Sequence, residues 1–124
     1  MDLSFLWIVV AVAFIAWKLM SMRRSPAQLA QIQAAIDSDA ILLDVRSASE
    51  FATGSLPGAR NTPVAHIGSI ISELQDAGRP VVVFCASGTR AGLAMRALKA
   101  AGIHPLYNLG TVGNGHTMRF PESS

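Results

Sequence analysis

The sequence predicts an α/β protein in which a small parallel sheet is flanked by helices and preceded by one transmembrane helix. Two short runs, AILLDV at 40–45 and VVVF at 81–84, are almost wholly apolar, as in strands buried on both faces of a parallel sheet. Amphipathic stretches at helical spacing alternate with these runs, which is the order of elements in an α/β fold. The run at residues 3–20 is apolar on all sides, which distinguishes it from a helix that buries one face.

Residues 3–20 have the length and composition of a membrane-spanning helix. The run LSFLWIVVAVAFIAWKLM would cover about 27 Å as a helix, close to the roughly 30 Å hydrocarbon thickness of a bilayer. Trp7 and Trp17 lie towards its two ends, where amphipathic rings prefer the membrane interface. We therefore expect this segment to bind the membrane.

Charges on either side of the run predict its orientation. The basic residues lie at or after its C-terminal end, namely Lys18, Arg23 and Arg24, whereas only Asp2 precedes it. The positive-inside rule then places the C-terminal side in the cytoplasm. We expect residues 1–24 to form a single-pass anchor with its basic flank and residues 25–124 to form one cytoplasmic domain. A cleavable signal peptide is the alternative, but such a peptide starts with a basic region, and no small-x-small cleavage motif follows the run.

The first half of the domain is predicted to hold a helix, a strand and a loop. Ser25, Pro26 and Gln28 mark a helix start, because serine caps, proline suits the first turn and glutamine completes a capping box. Apolar residues at helical spacing follow until the chain reaches Asp37. The strand at 40–45 comes next, and the segment from Phe51 to Pro57 is predicted to be a loop because glycine and proline interrupt it.

The second half of the domain repeats the alternation of helix and strand. Residues 65–77 have the spacing of a second amphipathic helix, and the VVVF strand follows. Residues 89–101 predict a third helix, with Gly102 at its C-terminal cap. Residues 105–109 fit a last short strand.

The composition excludes several classes of function. The 124 residues suit one small domain, and the net charge of +2 is too small and too scattered to indicate nucleic-acid binding. The single cysteine rules out a disulfide within the chain and a cysteine-rich zinc site. The three histidines, His66, His104 and His116, lack the spacing of metal ligands. We therefore predict no metal, no cofactor and no nucleic-acid partner.

Cys85 is the strongest candidate for chemistry, because the most apolar strand runs directly into it. A short loop of small residues follows, and Arg90 opens the next helix. Ligands of open α/β sheets bind beyond the carboxyl ends of the strands. Backbone N–H groups in the loop, the helix N-terminus and Arg90 should favour thiolate over thiol and so activate the cysteine. The alternative is an inert buried cysteine at the end of a core strand, which leaves the loop composition unexplained.

Two segments together resemble the rhodanese family, over a region from about Ser25 to about Gly113. LLDVRSASEFATGSLPGARNTPV at 42–64 is similar to the family's Asp-x-Arg, Glu-Phe and Gly-His-Ile-Pro-Gly-Ala segment. CASGTR at 85–90 is similar to its active-site loop. The resemblance implies a rhodanese-like three-layer fold, in which a parallel sheet lies between helices.

The resemblance also implies an activity and a set of site residues. The family carries sulfane sulfur as a persulfide on the loop cysteine, so Cys85 would be the nucleophile. The cradle for the persulfide and the anionic donor would consist of Ala86, Ser87, Gly88, Thr89 and Arg90. The expected partners are a small-molecule sulfur donor such as thiosulfate and a thiol or cyanide acceptor, which could also be an acceptor protein.

Asp44 and Arg46 match the family's Asp-x-Arg at the end of the neighbouring strand. They could buttress the active-site loop or add positive charge to it. We favour a supporting structural role, in an ion-pair network that holds the 44–50 loop with Glu50 as the partner of Arg46. Arg60 faces either the donor or solvent.

Several positions depart from the family's pattern. Ser55 stands where the family has histidine, which affects a structural marker rather than the mechanism. The tail LGTVGNGHTMRFPESS lacks the usual tryptophan, so we expect the last helix to be short or absent. Only Met22 to Arg24 could supply the edge strand that normally opens the domain.

Two other functions compete with sulfur transfer. Phosphatases of this fold carry five residues between cysteine and arginine, whereas four separate Cys85 from Arg90, which favours the smaller sulfur-centred group. A non-enzymatic binding or scaffold module at the membrane is the second alternative. The retention of both Cys85 and Arg90 argues against it.

Overall fold

Four parallel strands form the centre of the protein in the computed structural model, which describes residues 2–121. The elements in chain order are α1 (Leu3–Met22), α2 (Pro26–Asp37), β1 (Ile41–Asp44), α3 (Ala48–Ala52), β2 (Arg60–Asn61), a 3₁₀ helix (Val64–Ile70), α4 (Ile71–Ala77), β3 (Val81–Cys85), α5 (Thr89–Ala100), β4 (Leu106–Thr111) and α6 (Val112–Gly115). The strand order in the sheet is β2-β1-β3-β4, and every neighbouring pair is parallel. The predicted fold class is confirmed.

Helices cover both faces of the sheet, and the alternation of side chains along β3 assigns each residue to one face. Val81, Val83 and Cys85 face one core, which they form with α5, the 3₁₀ helix and α4. Val82 and Phe84 face the other core, which they share with α2. All five β3 residues are buried. The central strand therefore delivers Cys85 to the α5 side of the sheet, at its carboxyl edge.

The helices begin where the sequence predicted, with one change of type. Ser25 and Gln28 form a complete capping box at the start of α2. The segment predicted as one helix over 65–77 is divided into the 3₁₀ helix and α4. α5 ends at Ala100, and Gly102 follows in the left-handed conformation that glycine adopts at low cost.

Two short elements were not predicted. The loop assigned to Phe51–Pro57 is wrong at its start, because α3 continues through Ala52. Ser47 and Glu50 form a capping box that begins this helix, so the helix has a local cause. β2 has two residues and pairs with β1. Of the described residues, those before β1 form no strand, so Met22–Arg24 does not supply one, and α6 is a short last helix of four residues.

α1 stands apart from both cores. None of its residues is buried, and an 18-residue window has a mean hydropathy of 2.2. Among residues 2–121 it is the one helix long and apolar enough to cross a membrane. Its C-terminal end is attached to the domain, because the Asn114 side chain donates to the Met22 carbonyl at 3.0 Å and Arg24 Nε donates to the Asn108 carbonyl at 2.8 Å.

Candidate active site

Cys85 is the last residue of β3, and its side chain has no exposed surface. The strand lies between β1 and β4, so the cysteine ends the strand at the centre of the carboxyl edge. α5 begins four residues later. The cysteine therefore lies at the point where open α/β sheets bind their ligands, although it is covered in this conformation.

Two backbone N–H groups donate to the sulfur of Cys85. The N–H of Gly88 lies 2.9 Å from Sγ, and the N–H of Ala91 lies 3.4 Å from it. Gly88 has φ +97°, a conformation that glycine adopts without a Cβ penalty, and this turn directs its N–H back to the sulfur. Both donors belong to the start of α5, where the helix dipole is positive. Together they stabilise negative charge on the sulfur.

The loop after Cys85 is largely exposed and contacts the thiol through its backbone. Ala86, Ser87 and Thr89 are exposed, and Gly88 is half-buried. Within the described chain, the hydrogen bonds to Sγ come from backbone groups and not from the hydroxyls of Ser87 or Thr89. Of the predicted loop residues, Gly88 thus contacts the sulfur through its backbone, and Ala91 makes a second contact that the sequence did not predict.

Arg90 faces Glu50 of α3 in a bidentate ion pair. Its Nη1 and Nη2 lie 2.6 and 3.0 Å from the two carboxylate oxygens. The prediction that Glu50 pairs with Arg46 is therefore wrong, because the first turn of α3 directs Glu50 towards α5. Arg90 and then the backbone and hydroxyl of Ser47 lower the pKa of Glu50 to about 2. The hydrogen bonds that Glu50 accepts from Arg90 in turn raise the pKa of Arg90.

Asp44 and Arg46 form a second, buried ion pair. Arg46 Nη2 lies 2.7 Å from Asp44 Oδ2 and also donates to the carbonyl of Gly54 at 2.7 Å. The hydroxyl of Ser55 donates to Asp44 Oδ2 at 2.8 Å. The hydrogen bond to Asp44 is the main cause that raises the pKa of Arg46. These contacts fasten the 54–55 loop to the end of β1, and they include Ser55, which departs from the pattern that the sequence resembles.

Arg60, the remaining candidate from the sequence, forms an ion pair at the surface. Arg60 pairs with Glu73 of α4 on an exposed surface, which is the solvated alternative for this residue. Within residues 2–121, no three or more histidine, cysteine, aspartate or glutamate side chains come together as a metal site.

A comparison with models of known protein families agrees with this geometry. The agreement includes the sheet, the cysteine loop and the Asp44–Arg46 pair. The model of the family described as the rhodanese-like domain matches residues 25–111. The chain belongs to the rhodanese-like domain family. The matched region begins at the cap of α2 and ends with β4, so this rhodanese-like domain contains the whole sheet and excludes α1.

The solved structures similar to this rhodanese-like chain include a human single-domain sulfurtransferase. The structure of the human single-domain sulfurtransferase TSTD1 is 32% identical, with a TM-score of 0.52, and the match covers 67% of this chain and 84% of that one. The uncharacterized protein YqhL of Bacillus subtilis is 36% identical over 68 residues, which are 55% of this chain and 53% of YqhL.

A more distant relative of this rhodanese-like domain is a much larger protein. The tRNA sulfurtransferase of Thermoplasma acidophilum is 30% identical over 77 residues, which are 62% of this chain and 15% of that protein. The chain thus spans about half the length of YqhL and a small part of the tRNA sulfurtransferase.

Proposed function

We propose that the chain is a membrane-anchored sulfurtransferase that moves sulfane sulfur from a donor such as thiosulfate to a thiol or cyanide acceptor. The observation that carries the proposal is the Cys85 sulfur at the carboxyl edge of the sheet, with N–H donors from Gly88 and Ala91 directed at it. Family membership and sulfurtransferase relatives support sulfur transfer in general. The identity of the donor, the identity of the acceptor and the persulfide intermediate belong to the proposal.

The first half-reaction forms a persulfide on Cys85. The thiolate attacks the outer sulfur of thiosulfate, the S–S bond of the donor breaks, and its electron pair leaves with sulfite. The product is a persulfide anion, so the three negative charges of the reactants are conserved. The two N–H groups that contact Sγ in the free protein would also stabilise the charged persulfide.

The second half-reaction requires an external acceptor. Cyanide or a thiolate attacks the outer sulfur of the persulfide, and the cysteine thiolate leaves. The chain has one cysteine, so no second thiol within it can resolve the persulfide. An external small molecule or an acceptor protein must therefore take the sulfur, and the kinetics should be ping-pong.

Access to Cys85 requires movement of the residues packed around it. The cysteine has no exposed surface, and the N–H groups of Gly88 and Ala91 contact Sγ, so a donor would reach the sulfur when this segment moves. The same burial favours a second candidate function, a rhodanese-like binding or scaffold module at the membrane in which the cysteine is silent.

α1 supports the membrane part of the proposal. Its length, its hydropathy and its lack of buried residues fit an anchor, and the basic residues at its C-terminal end favour a cytoplasmic domain. We assign residues 1–24 to the anchor and its flank, and residues 25–124 to the rhodanese-like domain.

Intact mass spectrometry of the full chain in detergent tests the proposal. We expect thiosulfate to add the mass of one sulfur atom, and cyanide to remove it as thiocyanate. Cys85→Ser should stay folded and gain no sulfur, because the change removes the nucleophile and alters little volume. A wild-type protein that stays unmodified by thiosulfate and unreactive towards iodoacetamide at neutral pH would favour the binding-module alternative.

A further inference from the structure

A cavity of about 180 Å³ lies between the end of α1 and the active-site loop. Lys18, Ser21 and Arg24 line one side of it, and Ser87, Gly88 and Thr89 line the other. Lys18, Ser21 and Met22 are spaced so that they share one face of the last turns of α1. The anchor helix and the cysteine loop therefore form the walls of one cavity.

The cavity is adjacent to a residue that contacts the reactive sulfur, Gly88. This residue lines the cavity, and its N–H donates to Cys85 Sγ at 2.9 Å. A molecule in the cavity would thus contact the residue whose N–H donates to Sγ. The volume is small beside the roughly 300–1,000 Å³ of drug-sized sites, so it suits a small ligand.

The positive charges around the cavity favour the binding of an anion. Lys18 and Arg24 come from one wall, and the start of α5 adds its positive dipole from the other. The residues that line the cavity include no carboxylate, and of the described residues none forms an ion pair with Lys18 or Arg24. This contrasts with Arg90, whose charge is balanced by Glu50.

Arg24 is held in place by the domain. Its Nε donates to the Asn108 carbonyl at 2.8 Å, and its Nη1 donates to the Ser21 carbonyl at 3.3 Å. Gly110 has φ +85°, and a Cβ there would lie 2.9 Å from Arg24 Nη2. The glycine in β4 therefore leaves the space that the guanidinium occupies.

We propose that this cavity binds the oxyanion end of the sulfur donor and that Lys18 and Arg24 of the anchor are its specificity-determining residues. The inference rests on the proposed function of Cys85. It adds that the membrane segment forms part of the substrate site, so the rhodanese-like domain without its anchor would bind an anionic donor less well.

Alkylation of Cys85 by two reagents that differ in charge tests the proposal without requiring sulfur transfer. Iodoacetate and iodoacetamide react at the same carbon with the same leaving group, and Cys85 is the one cysteine that they can label. In full-length protein in phosphatidylcholine nanodiscs, we expect Lys18→Gln to lower the iodoacetate-to-iodoacetamide rate ratio about three- to tenfold. Arg24→Gln should lower the ratio similarly, and the iodoacetamide rate should be unchanged in Lys18→Gln.

Arg23→Gln is the matched control, because it removes the same charge from an exposed neighbour that does not line the cavity. It should leave the ratio unchanged. An equal decrease of the rate ratio in all three variants would overturn the proposal, because it would indicate an effect of the general surface charge. An unchanged rate ratio in Lys18→Gln would also overturn it.

The thiosulfate assay then separates this proposal from the proposed function. If both hold, Lys18→Gln raises the KM for thiosulfate about three- to tenfold and leaves kcat unchanged. If Cys85 accepts no sulfur, the proposed function fails while the alkylation ratios still report on the anion site. Nanodiscs that contain phosphatidylglycerol test a lipid phosphate as the occupant. A loss of the difference between wild type and Lys18→Gln in those discs would overturn the assignment to the donor.

Discussion

Glu50 connects two short helices through charge. Its carboxylate accepts from Arg90 of α5 and from both the backbone N–H and the hydroxyl of Ser47 at its own helix start. Four hydrogen bonds to the charged form account for a pKa of about 2. The pair holds the first turn of α5, which carries the N–H groups that contact the sulfur.

Replacing Glu50 with Gln should destabilise the protein in a pH-dependent way. The carboxylate has a lower pKa in the folded state than its ordinary 4.5, so its contribution is fully present above about pH 4.5 and is lost as the pH falls through about 2. The difference in free energy of unfolding between wild type and Glu50→Gln should therefore be constant from pH 8 to 5 and should shrink below that range.

Urea unfolding of the full chain in detergent at several pH values measures this difference. Asp76→Asn, which removes a carboxylate that forms no ion pair within the described chain, should change the free energy of unfolding little. A Glu50→Gln difference that stays the same down to pH 2 would contradict the assignment.

At the scale of single residues, the sequence predicted which groups surround the cysteine but not how they pair. Asp44 and Arg46 were predicted to belong to one ion-pair network, but Glu50 and not Asp44 was expected as the partner of Arg46. The partner of Glu50 was not accessible, since it depends on how α3 and α5 pack across the edge of the sheet, over a separation of 40 residues.

Among the elements, α6 has a specific packing role despite its four residues. Gly115 is buried against Leu56, and a Cβ on Gly115 would overlap with Leu56 Cδ1. Leu56 is itself buried and belongs to the core on the α2 face. It lies next to Ser55, so α6 supports the loop that hydrogen-bonds to Asp44.

Gly115→Ala should therefore destabilise the domain by about 1–3 kcal/mol, because the buried Leu56 side chain would have to shift within the core to admit the new Cβ. Gly113→Ala is a matched control in the same helix, since the nearest atom to its new Cβ would be Thr111 Oγ1 at an ordinary 3.6 Å. Thermal unfolding followed by circular dichroism compares the two variants. Equal melting temperatures for them would rule out the proposed packing of α6 on Leu56.

The elements that the sequence predicted well are those with their own apolar pattern. α2, β1, β3 and α5 each carry such a pattern and were placed to within two residues. β2 has two polar residues, which are too few to show a strand pattern in the sequence. It is a strand because it pairs with β1 in the assembled sheet. α3 had a readable signal in the capping box from Ser47 to Glu50, which the glycine and proline of the following loop obscured.

At the scale of the whole molecule, the exposed apolar surface of α1 predicts that the protein is bound to a membrane. Thirteen of the fourteen exposed large hydrophobic side chains in the described residues belong to this helix. We expect the full chain to sediment with membranes and to resist carbonate extraction, and a chain without residues 1–22 to be released. Recovery of the mature protein in the soluble fraction without residues 1–20 would indicate a cleaved signal peptide instead.

The connection between α1 and α2 limits how far the active site can travel. Three residues, 23–25, separate the two helices, and a fully extended chain of that length spans only about 10 Å. Even if the hydrogen bonds of Arg24 and Asn114 were broken, this short connection would keep the domain of an anchored protein close to the membrane surface. Cys85 would therefore stay within a thin layer above the lipid. An acceptor would have to present its reactive group within that layer, so encounters with membrane-attached acceptors become a search in two dimensions. A flexible insertion after Arg24 would lengthen the tether and open the volume above it to soluble acceptors.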